Sequence, residues 1–281
     1  MLFEDRKYYI YDGAMGTMLQ KNNIRRGKRP DILSITDPGA VENVHRMYVE
    51  AGSDIICANT FGANADALRG TGYSPAEIIA AAVAIARRAS GGAAKVALDI
   101  GPTGRILEPM GDLAPEQAYE IFAEQAVAGE KAGADLAAIE TMSDLEELKA
   151  ALLAVVENTR LGVLATMTFD RTGRTFMGCA PEEFAEAAER LGASAVGLNC
   201  SLEPAEMYAT AERIAKATRL PLIVKPNAGL PEGESGLYSV GPAEFAGQMA
   251  PFAGLGVKIV GGCCGTTPEY IRELKKTFSR L

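Results

Sequence analysis

The sequence predicts an α/β protein, a (β/α)8 or TIM barrel that forms a single domain over residues 1–281. Eight short runs rich in Val, Ile, Leu and Ala recur along the chain, and segments with helical periodicity separate them. Polar and cysteine residues follow the ends of these runs. In a barrel the carboxyl ends of all strands share one mouth, so this placement favours the barrel over an open, doubly wound sheet.

The predicted elements alternate regularly from the first run to the last. The predicted strands are 8–11, 54–61, 95–101, 135–141, 162–169, 195–200, 222–226 and 257–262. The predicted helices include 41–49, 76–89, 114–132, 143–156, 181–191, 203–218, 241–252 and 267–281. Near-continuous apolar strands separated by helices are typical of a parallel sheet that is covered on both faces. Capping residues such as Ser143 and Thr267 mark the starts of several helices.

Composition excludes several classes of function. The net charge of −8 argues against a general nucleic-acid partner. No run approaches the roughly 18 uninterrupted apolar residues of a membrane helix, and the amino terminus has no cationic segment followed by an apolar run. We therefore expect no membrane association and a cytoplasmic location. Five cysteines in such a chain favour metal binding or catalysis over a disulfide framework.

Three cysteines lie at the ends of two predicted strands. Cys200 closes the sixth strand, and Cys263 and Cys264 directly follow the eighth. These strands flank the seventh in a barrel, so the three thiols should converge at the mouth. Three thiolates around Zn²⁺ leave one tetrahedral position free, which is typical of a catalytic zinc. We predict that these residues are the zinc ligands and catalytic residues; the alternative is three buried cysteines that pack as small apolar side chains.

The remaining cysteines, the histidine and a glycine-rich turn give less specific signals than the three clustered cysteines. Cys57 and Cys179 are interpreted as bystanders of the zinc site, and the single histidine, His45, as a surface or half-buried helix residue. A glycine-rich turn around Gly13 could offer backbone N–H groups to a carboxylate, while Asp12 and Glu140 could accept from an ammonium group. Three thiolates make the zinc centre anionic, so an added thiolate stays electron-rich. Such an electron-rich zinc-bound thiolate is suited to attack on an alkyl group, whereas an anionic centre is less suited to activating water.

The motifs at the predicted strand ends are similar to those of one family. They read DGAMGT from Asp12, ANTFG from Ala58, DIGPTG from Asp99, ETMSD from Glu140, NCS from Asn199, PNAG from Pro226 and GGCCGTTP from Gly261. Together they resemble the homocysteine S-methyltransferase family, and most of all the homocysteine-binding module of cobalamin-dependent methionine synthases. The similarity extends from residue 12 to residue 268, and the combination of GGCCG with NC is its most specific part.

The resemblance implies a zinc-dependent enzyme that methylates the thiol of homocysteine and gives methionine. It implies Zn²⁺ on the three cysteines, with the homocysteine thiolate as the fourth ligand. Asp12, Gly13 and Glu140 would hold the amino-acid end of the substrate, and Asn59 and Asn227, in two of the motifs, are further predicted substrate-binding residues. Residues 1–281 would then be a homocysteine-binding barrel domain.

The methyl donor is open at this point. The preferred donor is methylcobalamin on another domain or a separate corrinoid protein, since the barrel uses the whole chain. S-Methylmethionine or S-adenosylmethionine could instead act directly. Two further alternatives are a metal-independent barrel lyase or isomerase and a non-catalytic zinc scaffold that docks a corrinoid protein. A basic run after the first strand is interpreted as solvated, or as a docking site for an acidic partner or a phosphate-bearing cofactor; it comprises Lys21, Arg25, Arg26, Lys28 and Arg29.

Overall fold

A computed structural model describes residue 3 and residues 5–21, 29–232 and 237–281. Its strands are β1 (Tyr9–Ile10), β2 (Ile55–Cys57), β3 (Lys95–Ile100), β4 (Leu136–Met142), β5 (Gly162–Met167), β6 (Ala195–Asn199), β7 (Leu222–Lys225), β8 (Pro231–Glu232), β9 (Leu237–Tyr238) and β10 (Val257–Val260). Eight of them form one parallel sheet in the order β1-β10-β7-β6-β5-β4-β3-β2. A parallel bridge between Tyr11 and Ile55 links β1 to β2. The predicted (β/α)8 barrel is therefore confirmed.

Helices surround this sheet. They are α1 (Met15–Lys21), α2 (Leu33–Thr36), α3 (Pro38–Glu50), α4 (Pro75–Ser90), α5 (Pro115–Ala132), α6 (Leu145–Asn158), α7 (Pro181–Arg190), α8 (Pro204–Ala217), α9 (Pro242–Met249) and α10 (Pro268–Phe278). Helix α4 shows the local signals well: Ser74 and Glu77 form a capping box, and Gly91 ends the helix in the left-handed region. Among the described residues, no helix has the length and apolar character that a membrane crossing requires.

The strands place their side chains in two separate cores. Inward-facing residues such as Tyr11, Ala97, Leu164 and Ile259 fill the barrel interior. The alternate residues pack outward against the helices and belong to the larger core. Because alternate side chains of a strand point to opposite faces, the residue at each strand end either joins the mouth or faces a helix. This alternation decides which polar residues reach the site.

The structure differs from the sequence prediction in three places. β2 ends at Cys57 rather than at residue 61, because the chain turns there and Thr60 N donates to Ala58 O at 2.8 Å. Helices α1 and α2 were not predicted in the segment between the first two strands. The antiparallel pair β8 and β9 was also missed, so the eighth predicted strand is β10. Strands of two residues are too short to give a periodic pattern.

His45 is fully buried on α3, so its interpretation as a surface or half-buried residue is wrong. Neither of its ring nitrogens has a hydrogen-bond partner among the described residues. Burial in this apolar environment lowers the pKa of His45 to about 4, because the charged imidazolium loses its hydration. The histidine therefore remains neutral in the folded protein at physiological pH.

This burial makes stability depend on pH. The unfolded chain takes up a proton near pH 6.5, whereas the folded chain does so only near pH 4, so stability is lost as pH falls between these values. We expect the free energy of unfolding to fall by about 3 kcal/mol more in the wild type than in a His45→Leu variant over this window. Denaturant unfolding at several pH values measures the difference. Parallel pH profiles would show that His45 does not titrate in this way.

Candidate active site

The three predicted zinc ligands converge at the mouth of the barrel. Cys200 directly follows β6, Cys263 and Cys264 lie in the turn after β10, and β7 runs between these strands. The three Sγ atoms lie within 4.8 Å of one another, and Cys200 Sγ and Cys264 Sγ are 3.9 Å apart. Zn–S bonds of about 2.3 Å in a tetrahedron require sulfur atoms about 3.8 Å apart. The donor atoms and their spacing therefore fit a zinc ion, although their role as ligands stays a prediction.

The backbone fixes both cysteine-bearing turns to the end of β7. Cys200 N donates to Lys225 O at 3.0 Å, and Cys263 N donates to Pro226 O at 2.7 Å. Cys200 and the following Ser201 have φ angles of +62° and +60°, in the left-handed region that non-glycine residues rarely adopt. This conformation turns the chain at the strand end, and such local strain is common at functional sites.

The thiol hydrogens are shared within the cysteine cluster. Donation from Cys263 and then from Cys264 lowers the pKa of the Cys200 thiol to about 3. Donation to Cys200 raises the pKa of the Cys264 thiol to about 11 and also raises that of Cys263. Within this cluster the thiolate form is favoured at Cys200, and the thiolate is the form of cysteine that binds a metal ion.

Asn199 joins the cysteine cluster to the end of β4. Its Oδ1 accepts from Thr141 N at 2.9 Å and from Thr166 Oγ1 at 2.8 Å, and its Nδ2 donates to Thr141 Oγ1 at 2.8 Å. Its Nδ2 also lies 3.9 Å from Cys263 Sγ. Thr141 has a φ of +62° and directly follows Glu140. The buried asparagine therefore holds the backbone beside Glu140 and beside the cysteines in one arrangement.

A cavity of about 1010 Å³ opens beside the cysteine cluster. The predicted site residues that line it are Asp12, Gly13, Asn59, Glu140, Cys200, Cys263 and Cys264. Asn227 is buried and is not among the lining residues; its amide helps to lower the pKa of Cys200. The Nδ2 of Asn59 is already engaged, because it donates to Pro30 O at 2.7 Å. The substrate-binding roles of these residues stay predictions.

A clamp holds the glycine-rich turn after β1 against the turn that carries the cysteines. Tyr48 Oη lies 3.1 Å from both Ala14 O and Thr266 O, so its hydroxyl can donate to either carbonyl. Thr266 Oγ1 accepts from Ala14 N at 3.2 Å and donates to Cys263 O at 2.7 Å. A Cβ atom on Gly13 would lie 2.6 Å from Thr266 Oγ1, so only glycine fits there. The clamp ties the predicted amino-acid-binding turn to the cysteine cluster.

The floor of the cavity contains a buried lysine that the sequence interpretation missed. Lys225, at the end of β7, donates from Nζ to Glu140 Oε2, and its side chain is only 5% exposed. The same Nζ lies 4.0 Å from the centre of the Tyr11 ring, which adds a cation–π contact. A charged residue that ends an otherwise apolar strand, LIVK, was the available signal. Such a residue is buried with its charge only where a partner faces it.

Carboxyl groups outnumber the lysine on this floor. Burial, opposed chiefly by the charge of Lys225, raises the pKa of Asp12 to about 7. Burial and then the nearby Glu140 raise the pKa of Asp99 well above its usual value. Although burial disfavours a charged lysine, its anionic neighbours, Glu140 first, raise the pKa of Lys225. The lysine therefore stays protonated, and the floor has an excess of acidic groups.

Cys57 and Cys179 lie outside the group of three thiols. Cys57 Sγ lies within 4.8 Å of a carboxylate oxygen of both Asp99 and Glu140, on the cavity floor. Cys179 is buried, and its Sγ donates to Ala180 O at 3.3 Å. Of the predicted basic run, Arg25, Arg26 and Lys28 lie outside the described residues; Lys21 ends α1 and Arg29 lines the cavity.

Comparison of sequences gives a consistent result. The homocysteine S-methyltransferase family matches residues 9–278. The methionine synthase of Mycobacterium leprae (strain TN) is 36% identical over 298 residues, which cover 98% of this chain and 24% of that protein. The methionine synthase of Mycobacterium tuberculosis (strain ATCC 25618 / H37Rv) is 36% identical over 302 residues, with 98% and 25% coverage. The chain thus spans about a quarter of the length of these relatives.

Solved structures share the same architecture. The oxidized form of the homocysteine methyltransferase MmuM from Escherichia coli superimposes with a TM-score of 0.83 at 23% identity, covering 98% of this chain and 97% of that one. The metallated form of MmuM gives a TM-score of 0.81 at 22% identity, with 98% of both chains covered. At this level of identity the likeness shows a common barrel fold.

Proposed function

The chain belongs to the homocysteine S-methyltransferase family, and we propose that it transfers a methyl group to the thiol of homocysteine at a zinc centre and forms methionine. The observation that carries this proposal is the convergence of three Sγ atoms within 4.8 Å at the edge of a large cavity. No histidine supplements these ligands, since the only histidine of the chain lies on α3. A thiolate-rich centre favours sulfur chemistry over water activation.

Each group of residues has a distinct task in this proposal. Cys200, Cys263 and Cys264 would hold the zinc ion. When bound, zinc would supply the positive charge that keeps the substrate sulfur as a thiolate at neutral pH. Asp12, Gly13 and Glu140 would hold the amino-acid end and so direct the sulfur toward the donor. The thiolate attacks the methyl carbon, an S–C bond forms, and the electron pair of the broken methyl bond leaves with the donor.

A methyl-corrinoid on another domain or protein is our proposed donor. The similarity to two methionine synthases supports it. The cavity volume of about 1010 Å³ is at the upper end of small-molecule pockets, roughly 300–1,000 Å³, and leaves room for a second reactant beside homocysteine. Direct use of S-methylmethionine or S-adenosylmethionine is the competing mechanism.

Donor competition tests this assignment. With zinc-loaded protein and homocysteine, we expect methylcobalamin to give methionine at least about tenfold faster than S-methylmethionine at equal concentration, a barrier difference of about 1.4 kcal/mol. Methionine is quantified by chromatography, and a Cys200→Ala variant serves as the control for reaction without the site. Faster turnover with S-methylmethionine would overturn the donor while leaving the homocysteine acceptor intact. No methionine from methylcobalamin, S-methylmethionine or S-adenosylmethionine would contradict the proposed function.

A further inference from the structure

The carboxylate of Glu140 already has a partner inside the protein. Lys225 Nζ donates to its Oε2, and the two side chains are 5% and 12% exposed. Lys225 also contacts the Tyr11 ring from 4.0 Å. Since the lysine is fixed by two neighbours and buried on a strand, Glu140 is held in one position while its second oxygen stays available.

Asp99 lies beside Glu140 and lacks a partner. It is 8% exposed, lines the cavity, and its Oδ1 has no hydrogen bond to any residue that the structure describes. A buried carboxylate oxygen without a donor costs free energy unless a ligand supplies one. The atom therefore marks a place where a donor group is missing.

The spacing of these two carboxylates suits one ammonium group. An oxygen of Asp99 and an oxygen of Glu140 lie within 4.8 Å of each other. An ammonium nitrogen that donates to two oxygens at about 2.8 Å with a tetrahedral angle separates them by about 4.6 Å. A bridging amine would thus give Asp99 a donor and would also contact the Glu140 carboxylate.

The charge balance indicates the same kind of ligand. Asp12, Asp99 and Glu140 contribute three carboxyl groups to the floor. Lys225 forms an ion pair with Glu140, and its charge opposes the rise in the pKa of Asp12 and of Asp99. A bound ammonium group would favour the ionised form of Asp99, whose pKa is raised by burial and by Glu140, and a protonated amine also donates hydrogen bonds.

We propose that Asp99, together with Glu140, binds the protonated amino group of the thiol substrate, and that Lys225 is the residue that positions Glu140 for this contact. The inference rests on the proposed function, because it takes an amino-acid thiol as the ligand. Asp99 becomes a specificity-determining residue: it selects thiols that carry an amine. Lys225 does not contact the substrate; it holds the Glu140 carboxylate in place through their ion pair.

Three thiols separate the amine from the rest of the ligand. L-Homocysteine carries an amine and a carboxylate, 3-mercaptopropylamine carries only the amine, and 4-mercaptobutanoate carries only the carboxylate. We expect Asp99→Asn and Lys225→Met each to weaken binding of the two amines by about 10- to 100-fold and to change binding of 4-mercaptobutanoate by less than about threefold. Calorimetry on zinc-loaded protein measures all three affinities without a methyl donor.

Matched variants distinguish positioning from damage to the fold. Lys225→Arg keeps the cation and should restore most of the homocysteine affinity. Lys149→Met removes a lysine from a partly exposed pair with Glu146 on α6 and should change none of the three affinities. Asp99→Asn leaves no unpaired buried cation, so it remains informative if Lys225→Met fails to fold.

The outcomes distinguish failure of the proposed amino-group site from failure of the proposed function. Unchanged homocysteine affinity in Asp99→Asn, or equal losses for all three thiols in both variants, would overturn the amino-group site. Wild-type, zinc-loaded protein that binds none of the thiols would instead overturn the proposed function, and the inference with it.

Discussion

Replacing Cys263 and Cys264 together by alanine should reduce the zinc content of the purified protein from about one ion per chain to below about one tenth. One remaining thiolate cannot hold the ion against solvent and competing chelators, because each Zn–S bond contributes a large share of the affinity. Methyl transfer to homocysteine should fall by at least about 1,000-fold, since the substrate thiol then keeps its ordinary pKa of roughly 8.5. Metal analysis and single-turnover methylation measure the two losses.

Cys179→Ala provides the matched control. Cys179 is buried like a core residue and lies outside the three-thiol cluster, so the variant removes a cysteine without removing a predicted ligand. It should keep its zinc and its activity, with a loss of stability of about 1 kcal/mol from the missing sulfur. Stoichiometric zinc in the double variant would show that the three thiols are not the metal site.

The barrel could be predicted from the sequence because its signals are repeated. Each buried parallel strand gives an apolar run, and helices show a 3.6-residue period, in some cases with a predicted capping residue such as Thr267, which directly precedes α10. The antiparallel pair of β8 and β9 could not be predicted, since two-residue strands lack a periodic pattern. Helix α2 spans only four residues and escaped notice for the same reason.

The cysteine cluster could be anticipated, but the cavity floor could not. The strand order of a barrel is enough to place the thiols at the ends of the sixth and eighth predicted strands, which are β6 and β10. The structure brings these thiols within 4.8 Å of one another. A shift of β7 by one residue would turn Lys225 from the barrel interior toward a helix, and the sequence does not define the strand to that accuracy. Its pairing with Glu140 joins positions 85 residues apart, and the sequence contains no local signal for that contact.

Glu140→Gln and Lys225→Met form a thermodynamic cycle whose expected coupling is large. Removing one member of a buried ion pair leaves the other charge uncompensated, and such changes cost about 3–5 kcal/mol in folded proteins. Here the neighbouring Asp12 and Asp99 can change their protonation and so compensate part of the lost charge. We therefore expect each single variant to lose about 2–3 kcal/mol of stability. Both residues are at most 12% exposed at the side chain, so solvent screens the pair only weakly.

The double variant should be less destabilised than the sum of the single variants by at least about 1.5 kcal/mol, because neither buried charge is then left alone. Denaturant unfolding of the four proteins, zinc-loaded and at one pH, gives the coupling. Homocysteine affinity should behave differently: the double variant should bind as weakly as the poorer single variant, since the carboxylate that faces the substrate remains absent. Additive stability losses would mean that Lys225 and Glu140 do not act as a pair. Recovery of affinity along with stability would mean that the pair holds the fold and does not position a substrate group.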